Sequence, residues 1–572
     1  MERGLPSPCL LVGALMLLLQ MAGSVAASEP LHRKIDRAIE AKIKGDAAAL
    51  STDAEFLRRV CLDLTGMIPT SADARAFLDD PSPYKRRRLI DRLMAAPEYA
   101  RRMQDVFDVM LMERRADTHV PTPEWHAFLR RAFAENVPYN RLVAEILAAD
   151  GTDPKTRGAA KFYLDRLADP NLLTRDIGRM FLGRDLQCAQ CHDHPLIDDY
   201  KQAHYYGLIA FLNRTTLFED GKKGSVLAEK AEGDVTFTSV FKKKVTHRTG
   251  PRILDGPAVK EPSLPKGSEY LVFPDKENKV RTIPSYSRRA ELAARLTSEA
   301  VPEFSRNIVN RLWAMMMGRG LVHPVDLHHS ENPASDGELL DLLAREFVAM
   351  GYDVKAFLSE LALTRIYQQS SEPPPGASPG DDRSPGSTFK VAPLKPLTPE
   401  QLAWSVMQGV GLVAAAQQQA GEKLDGHDPK LRDIFRTDAK RRALRATMIE
   451  EAVHDQLQGG VAPFVHQFAA AAGQSQDATE PSVHQALFLS NSNQVGSWLA
   501  PSGGNLVGRL AALSDSSAVA EELYLSLFSR RPAEEERAEV ARYLAERGKQ
   551  RVPALQELAW ALLESTEFRF NH

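Results

Sequence analysis

Cysteine is scarce in this sequence, which limits how the fold can be stabilised. Four cysteines occur in 572 residues, and the first, Cys9, lies ahead of the N-terminal apolar run. A secreted protein that relies on disulfides normally has more cysteines, in pairs. We therefore expect the fold to rest on its hydrophobic core, with the pair Cys188 and Cys191 available for chemistry.

An excess of charge of one sign is also lacking. The sequence has 72 Lys and Arg against 75 Asp and Glu, a net charge of −3, which is too small to attract nucleic acid or an acidic membrane strongly. The basic run Lys242–Lys244 is more typical of a solvated strand edge. No Gly-rich phosphate loop, GxSxG elbow or glycosidase-type carboxylate pair is recognisable. Nucleic acid is not an expected partner, and no residue identifies a catalytic site.

Long apolar runs are confined to the N-terminus. Arg3 precedes an apolar stretch from Leu10 to Leu19, and the small residues Ser24–Ala27 follow it. That order is typical of a secretory signal peptide, and the stretch is short for a membrane-spanning helix. We predict a signal peptide over residues 1–27, with an uncleaved anchor as the alternative. The mature chain is expected to be exported, periplasmic or at the cell surface, with no transmembrane span.

The rest of the chain has the composition of a globular protein, with 43% hydrophobic and 26% charged residues. Apolar residues recur at helical spacing on both sides of a segment rich in β-branched residues and turn signals. We therefore predict a mainly α fold, with two helical domains joined by a small β-rich connector. The expected segments are a helical domain at 28–217, the connector at 218–285, and a second helical domain at 286–572 with an exposed loop at 372–390.

The sharpest chemical motif is the segment Cys188-Ala189-Gln190-Cys191-His192. In c-type attachment two cysteine sulfurs bond to the porphyrin vinyl groups, and the adjoining histidine binds the iron. The CxxCH spacing therefore predicts one covalent haem c, held by Cys188 and Cys191 with His192 as the proximal iron ligand. A helix expected over Leu172–Leu186 leads directly to the motif, which should lie just past the helix end.

Three other interpretations of the same segment remain open. Cys188 and Cys191 could form a disulfide, or a redox pair, although no βαβ pattern surrounds them. A zinc site is the third, because two thiolates with one or two imidazoles suit zinc. His192, His194 and the acidic residues Asp193, Asp198 and Asp199 crowd close to the two cysteines.

The sixth iron ligand is not determined by the sequence. Met180 lies on the incoming helix, and His204 lies far enough beyond His192 for a loop to turn around the haem edge. His194 is too close to His192 to reach the opposite face easily, and Met315–Met317 look like packing residues. An open iron position is equally compatible with the sequence. Apolar walls are expected from residues near the motif: Phe181, Leu186, Tyr205, Tyr206 and Leu208.

Several longer segments resemble a known family. Phe56–Gly66, followed by Pro69 and Thr70, resembles the opening of the cytochrome-like domain of large planctomycete secreted proteins. Phe181–Gly183 through Cys188–Pro195 resembles the central motif of that domain. The domain that regularly follows it in that family is also resembled by four later segments of this chain: Arg306–Trp313, Gly318–Val322, Asn332–Pro333 and the closing Ser565–His572.

The resemblance implies two consecutive domains of unknown function, the first labelled cytochrome-like because of its CxxCH segment. It implies no established activity. The separate haem domain often found ahead of these two is not present in this sequence, so Cys188, Cys191 and His192 are the one candidate site. Our main hypothesis is an exported haem protein with an electron-transfer or redox role and an unknown redox or protein partner. The alternative is an exported binding or scaffold protein whose CxxCH segment is a disulfide-linked or zinc-bound turn.

Overall fold

The fold is described here from a computed structural model of the chain. The described residues are 29–43, 47–241, 245–275, 277–373, 389–427, 438–473, 485, 488 and 492–572. The predicted signal peptide, the basic run Lys242–Lys244 and residues 374–388 of the predicted loop lie outside the described residues.

The part of the chain before the connector is helical, as its apolar periodicity predicts. It contains ten α-helices in the described residues: α1 Leu31–Glu40, α2 Asp53–Thr65, α3 Ser71–Asp79, α4 Lys85–Ala95, α5 Pro97–Met112, α6 Thr122–Ala134, α7 Tyr139–Ala148, α8 Lys161–Leu164, α9 Pro170–Leu182 and α10 Gln202–Leu212. Short 3-10 turns occupy Arg157–Ala160 and Gln187–Gln190. The second of these turns contains Cys188.

The connector is built from three small antiparallel pairs of strands. Its strands are β1 Thr215–Asp220, β2 Gly224–Glu229, β3 Val235–Thr238, β4 Thr246–Thr249, β5 Tyr270–Val272 and β6 Ile283–Pro284. In the β3–β4 hairpin, Phe237 lies opposite His247. The β-branched run that indicates a strand from Val235 therefore forms one, and the strand ends at Thr238, ahead of the hairpin turn.

Helices resume after the connector and continue to the C-terminus. They are α11 Arg288–Leu296, α12 Pro302–Met317, α13 Gly337–Ala349, α14 Val354–Leu363, α15 Pro399–Val410, α16 Leu412–His427, α17 Ala439–Leu457, α18 Ala462–Phe468, α19 Asn493–Leu499, α20 Leu506–Ala511, α21 Ser516–Phe528, α22 Glu534–Arg547, α23 Arg551–Glu564 and α24 Thr566–Arg569. A two-residue strand pair joins β7 Lys395–Pro396 to β8 Phe570–Asn571. The mainly α prediction is confirmed.

The apolar side chains form two buried clusters that do not divide at the connector. The larger cluster combines residues of α1 to α10 with residues of α11 to α14. The smaller cluster combines α15 and the C-terminal helices with Leu62, Met67 and Ile68 from the beginning of the chain. Helices from both sides of the connector therefore share cores, and the CxxCH segment lies at the margin of the larger one.

Helix α2 links the two clusters because its residues from Phe56 to Thr65 are all buried. Arg58 on this helix is fully buried and donates to the carbonyl oxygens of Leu527 at 3.0 Å and Phe568 at 2.7 Å. Burial lowers the pKa of the Arg58 guanidinium to about 10. An unpaired buried carbonyl is costly, so Arg58 stabilises the C-terminal helix ends against the first part of the chain.

Candidate functional site

The CxxCH segment is reached by α9, which ends sooner than its sequence periodicity predicts. The helix was expected to run to Leu186, but it ends at Leu182 because Gly183 adopts the left-handed conformation, with φ 68°. The Arg184 amide then donates back to the Gly178 carbonyl at 2.9 Å, a standard way of closing a helix. The motif therefore follows a helix end, separated from it by the short link 183–186.

The two cysteines are presented by a single tight turn. Cys188 lies in the 3-10 turn Gln187–Gln190, and Cys191 follows it directly in a right-handed helical conformation. Side chains three residues apart eclipse one another in 3-10 geometry, so the two thiols lie on the same side of the turn. Both are exposed free thiols.

His192 is held in the tautomer that suits a metal ligand. Its Nδ1 atom lies 2.6 Å from the carbonyl oxygen of Asp193. A carbonyl only accepts hydrogen bonds, so Nδ1 is the protonated donor, and the lone pair of the neutral ring is on Nε2. Metal-binding histidines typically donate their other ring N–H in this way. The half-buried ring packs against Phe241, with ring centroids 4.8 Å apart.

His194 has the opposite hydrogen-bonding pattern. Its Nδ1 accepts from the backbone amides of Leu196 at 3.2 Å and Ile197 at 3.1 Å, so the proton of the neutral ring is on Nε2. His194 therefore shapes the loop after the motif and offers no free lone pair in this arrangement. Among the residues that the structure describes, no three His, Cys, Asp or Glu side chains are placed to share a metal ion.

The two candidate sixth ligands are engaged elsewhere. His204 is 1% exposed, and its Nδ1 donates to the Asp199 carbonyl at 2.8 Å while its Nε2 donates to the Asp255 carboxylate at 2.9 Å. This hydrogen bond from His204 lowers the pKa of Asp255. Met180 is buried in the larger core, where its sulfur accepts from Arg166 Nη2 at 3.7 Å. The structure does not bring a free lone pair of either residue to the motif.

Most of the expected apolar walls are already used by the core. Phe181, Leu186, Tyr205 and Leu208 are buried in the larger cluster. Tyr206 is the exception, because it is only half-buried and its hydroxyl donates to the Gln190 carbonyl at 3.1 Å. It joins the motif to α10.

Sequence reasoning predicted β structure in the connector but missed that the β3–β4 hairpin contacts the motif. The Val240 amide donates to the Cys191 carbonyl at 3.1 Å. Gln202 Nε2 lies 3.3 Å from the Gln190 carbonyl and 3.4 Å from the Thr238 carbonyl, so it bridges the motif and β3. These contacts are between segments far apart in sequence, and only the β-branched run hinted that a strand was present.

The donor set fits a covalent haem. Two free thiols on one side of a turn and an adjoining imidazole with its Nε2 lone pair available match the groups that c-type attachment requires. Cys188 and Cys191 would hold the porphyrin, and His192 would bind its iron. Within the described part of the chain, no helix combines the length and apolar character needed to cross a membrane.

Fold and motif define a mainly α protein with a cytochrome-like CxxCH segment. The chain belongs to the family in which two domains of unknown function occur in tandem. Residues 34–217 match the model PSCyt2, a protein of unknown function (DUF1549), and residues 288–544 match PSD1, a protein of unknown function (DUF1553). No curated protein and no solved structure matches the chain.

Proposed function

We propose that this chain is an exported protein that binds one covalent c-type haem and has an electron-transfer or redox role. Cys188 and Cys191 are the attachment residues, and His192 is the proximal iron ligand. The observation that supports this most directly is the hydrogen bond from His192 Nδ1 to the Asp193 carbonyl at 2.6 Å. It orients the ring and leaves Nε2 as the atom with the free lone pair.

The residues around the motif fix its geometry. Asp193 Oδ1 accepts from the backbone amide of Gln202 at 2.8 Å, at the start of α10. Tyr206 and Gln202 both donate to the Gln190 carbonyl. The turn is therefore held from one side by a buried helix while its thiols face outward. A bound haem would supply one-electron chemistry at its iron, tuned by the axial ligands and by exposure to water.

The proposed location follows from the chemistry of attachment and from the expected signal peptide. Covalent haem attachment takes place outside the cytoplasm, and the first 27 residues have the pattern of a secretory signal. An exposed attachment turn also suits electron exchange with a second protein. The partner is therefore proposed to be an exported redox protein.

The test is covalent haem attachment itself. The full chain is produced with a haem-c maturation system and an export signal, denatured, and measured by mass spectrometry and by its pyridine haemochrome spectrum. We expect one haem that survives denaturation, and none in the double variant Cys188→Ala/Cys191→Ala. The control Cys61→Ala removes a buried cysteine and should keep the haem.

An unmodified mass in the wild-type chain, when a control cytochrome matures in the same cells, would contradict the proposal. A mass lower by two hydrogens without haem would instead indicate a Cys188–Cys191 disulfide. Stoichiometric zinc lost from the double variant would indicate a metal-bound turn.

A further inference from the structure

The β3–β4 hairpin beside the motif exposes apolar side chains that no described part of the chain covers. Val240, Phe241 and Val245 have 47%, 77% and 48% of their surface exposed. Val240 and Phe241 contact the motif, whose two thiols are exposed and whose His192 is half-buried. A cluster of large exposed apolar side chains on a folded domain indicates a surface that binds something.

The hairpin is fixed to the motif, so the two form one surface. The Val240 amide bonds to the Cys191 carbonyl at 3.1 Å, and the Phe241 ring packs 4.8 Å from the ring of His192. Whatever bonds to the two thiols and to His192 Nε2 must therefore lie against the hairpin. This continuity identifies the occupant of the apolar surface as the group that the motif binds.

An aromatic column runs from the motif along the hairpin. The ring of Tyr206, whose hydroxyl reaches the Gln190 carbonyl, stacks on Phe237 at 4.5 Å with an angle of 2° between the planes. Phe237 in turn stacks on its cross-strand partner His247 at 5.2 Å and 24°. The column therefore holds the His247 ring on the same hairpin that contacts His192.

His247 differs from His194 and His204 in having both ring nitrogens available to bind a metal. His194 accepts two amide hydrogens, and His204 donates from both ring nitrogens. The exposed ring of His247 stacks on Phe237 and makes no hydrogen bond to the described residues through either nitrogen. Neutral imidazole is a common axial ligand of haem iron.

We infer that the β3–β4 hairpin completes the haem site, with Val240, Phe241 and Val245 covering the porphyrin and His247 binding the iron opposite His192. This inference rests on the proposed function. It gives the exposed apolar surface a role, and it supplies the second iron ligand that Met180 and His204 do not provide. It also makes the connector part of the site, since the cysteines come from one segment and the second imidazole from another.

The test is the spin state of the ferric protein after covalent haem attachment has been verified by mass. We expect the wild type to show the optical and electron paramagnetic resonance spectra of low-spin iron with two imidazoles. His247→Ala should convert most of the iron to the high-spin form, and added imidazole should restore the low-spin spectrum. The matched control is His466→Ala, which removes an exposed histidine from α18.

The second variant, Phe241→Ser, tests the cover independently of the ligand. It should keep the haem and the low-spin spectrum but lower the reduction potential, because greater exposure to water favours the ferric form. If the haem is attached and neither the spectrum of His247→Ala nor the potential of Phe241→Ser changes, the inference is wrong and the proposed function stands. If no haem is attached to the wild type, both fail. A third outcome is that Phe241→Ser keeps its haem and its reduction potential but no longer binds a redox protein. This outcome would assign the surface to partner docking instead.

Discussion

Lys395 Nζ donates to both carboxylate oxygens of Asp63, at 2.7 and 2.8 Å. The Tyr367 hydroxyl donates to the same carboxylate at 2.8 Å, and Asn571 Nδ2 does so at 2.9 Å. Burial lowers the pKa of Lys395, whose side chain is only 14% exposed. One carboxylate on α2 thus joins the segment after α14, strand β7 and strand β8 near the C-terminus.

Removing this carboxylate should destabilise the whole chain. In Asp63→Ala the Lys395 ammonium stays buried without its counter-charge, and breaking a buried pair in this way typically costs about 3–5 kcal/mol. Urea denaturation followed by circular dichroism measures the free energy of unfolding. The control Asp341→Ala breaks an ion pair with Arg306 in which both side chains are more than a third exposed, and it should cost less than about 1 kcal/mol. Equal losses in the two variants would mean that Asp63 has no special role.

His454 should make stability fall as the pH is lowered. Its Nδ1 accepts from Arg130 Nη2 at 3.2 Å, and burial together with Arg130 lowers its pKa from 6.5 to about 3. Between about pH 6.5 and pH 3 the unfolded chain binds a proton at this histidine and the folded chain does not. Lowering the pH through this range therefore lowers the free energy of unfolding, by up to about 1.4 kcal/mol per pH unit.

The measurement compares His454→Gln with the wild type by urea denaturation at pH 8, 7, 6 and 5. Glutamine keeps an acceptor for Arg130, and the variant should lose less stability than the wild type between pH 7 and pH 5. His466→Gln, in which an exposed histidine on α18 is replaced, is the matched control. A wild type and a His454→Gln variant with parallel pH dependence would refute the prediction.

The helical architecture is predictable from sequence because helices are specified locally. Thr398 and Gln401 form the capping box that their spacing indicates, and α15 begins with it. Where two neighbouring residues can each cap a helix, the observed N-cap can differ from the predicted one by a residue. The spacing of Ser335 and Glu338 also predicts a capping box, with Ser335 as the N-cap of α13, but it is the Asp336 side chain that accepts from the Leu339 amide. Asp336 directly precedes Gly337, the first residue of the helix, and aspartate is a favourable N-cap residue.

The candidate site is predictable only in part, because it combines local and distant residues. The CxxCH spacing identifies Cys188, Cys191 and His192. Their presentation in one turn is also a local property, because the three lie in one short continuous stretch of chain. The engagement of His204 by Asp255 does not follow from any spacing, since the two residues are 51 positions apart. The contact of Val240 with Cys191 is of the same kind. Such pairs are set by packing of the connector around α10 and the motif, which no local pattern reports.

Gly183 is predicted to be indispensable for the geometry ahead of the motif. It has φ 68°, and a Cβ at this position would lie 2.7 Å from Cδ2 of His328. Gly183→Ala therefore combines backbone strain with a steric clash, and we expect a loss of about 1–3 kcal/mol in the free energy of unfolding. Gly250→Ala is the control, since a Cβ there meets nothing within 4 Å. A Gly183→Ala variant as stable as the control would show that the helix end tolerates a side chain.

The three cysteines that follow Cys9 should differ in reactivity. Cys188 and Cys191 are exposed free thiols, whereas Cys61 is buried on α2, where burial raises the pKa of its thiol to about 12. Alkylation requires both access and the thiolate form. In the folded, haem-free protein made without maturation machinery, iodoacetamide should modify Cys188 and Cys191 and leave Cys61 unmodified. Denaturation should then make Cys61 reactive, as peptide mass mapping before and after urea would record.

Modification of Cys61 at the rate of the other two in the folded protein would contradict its burial. Protection of Cys188 and Cys191 that is removed by a reductant would show instead that they are joined in a disulfide before any haem is attached.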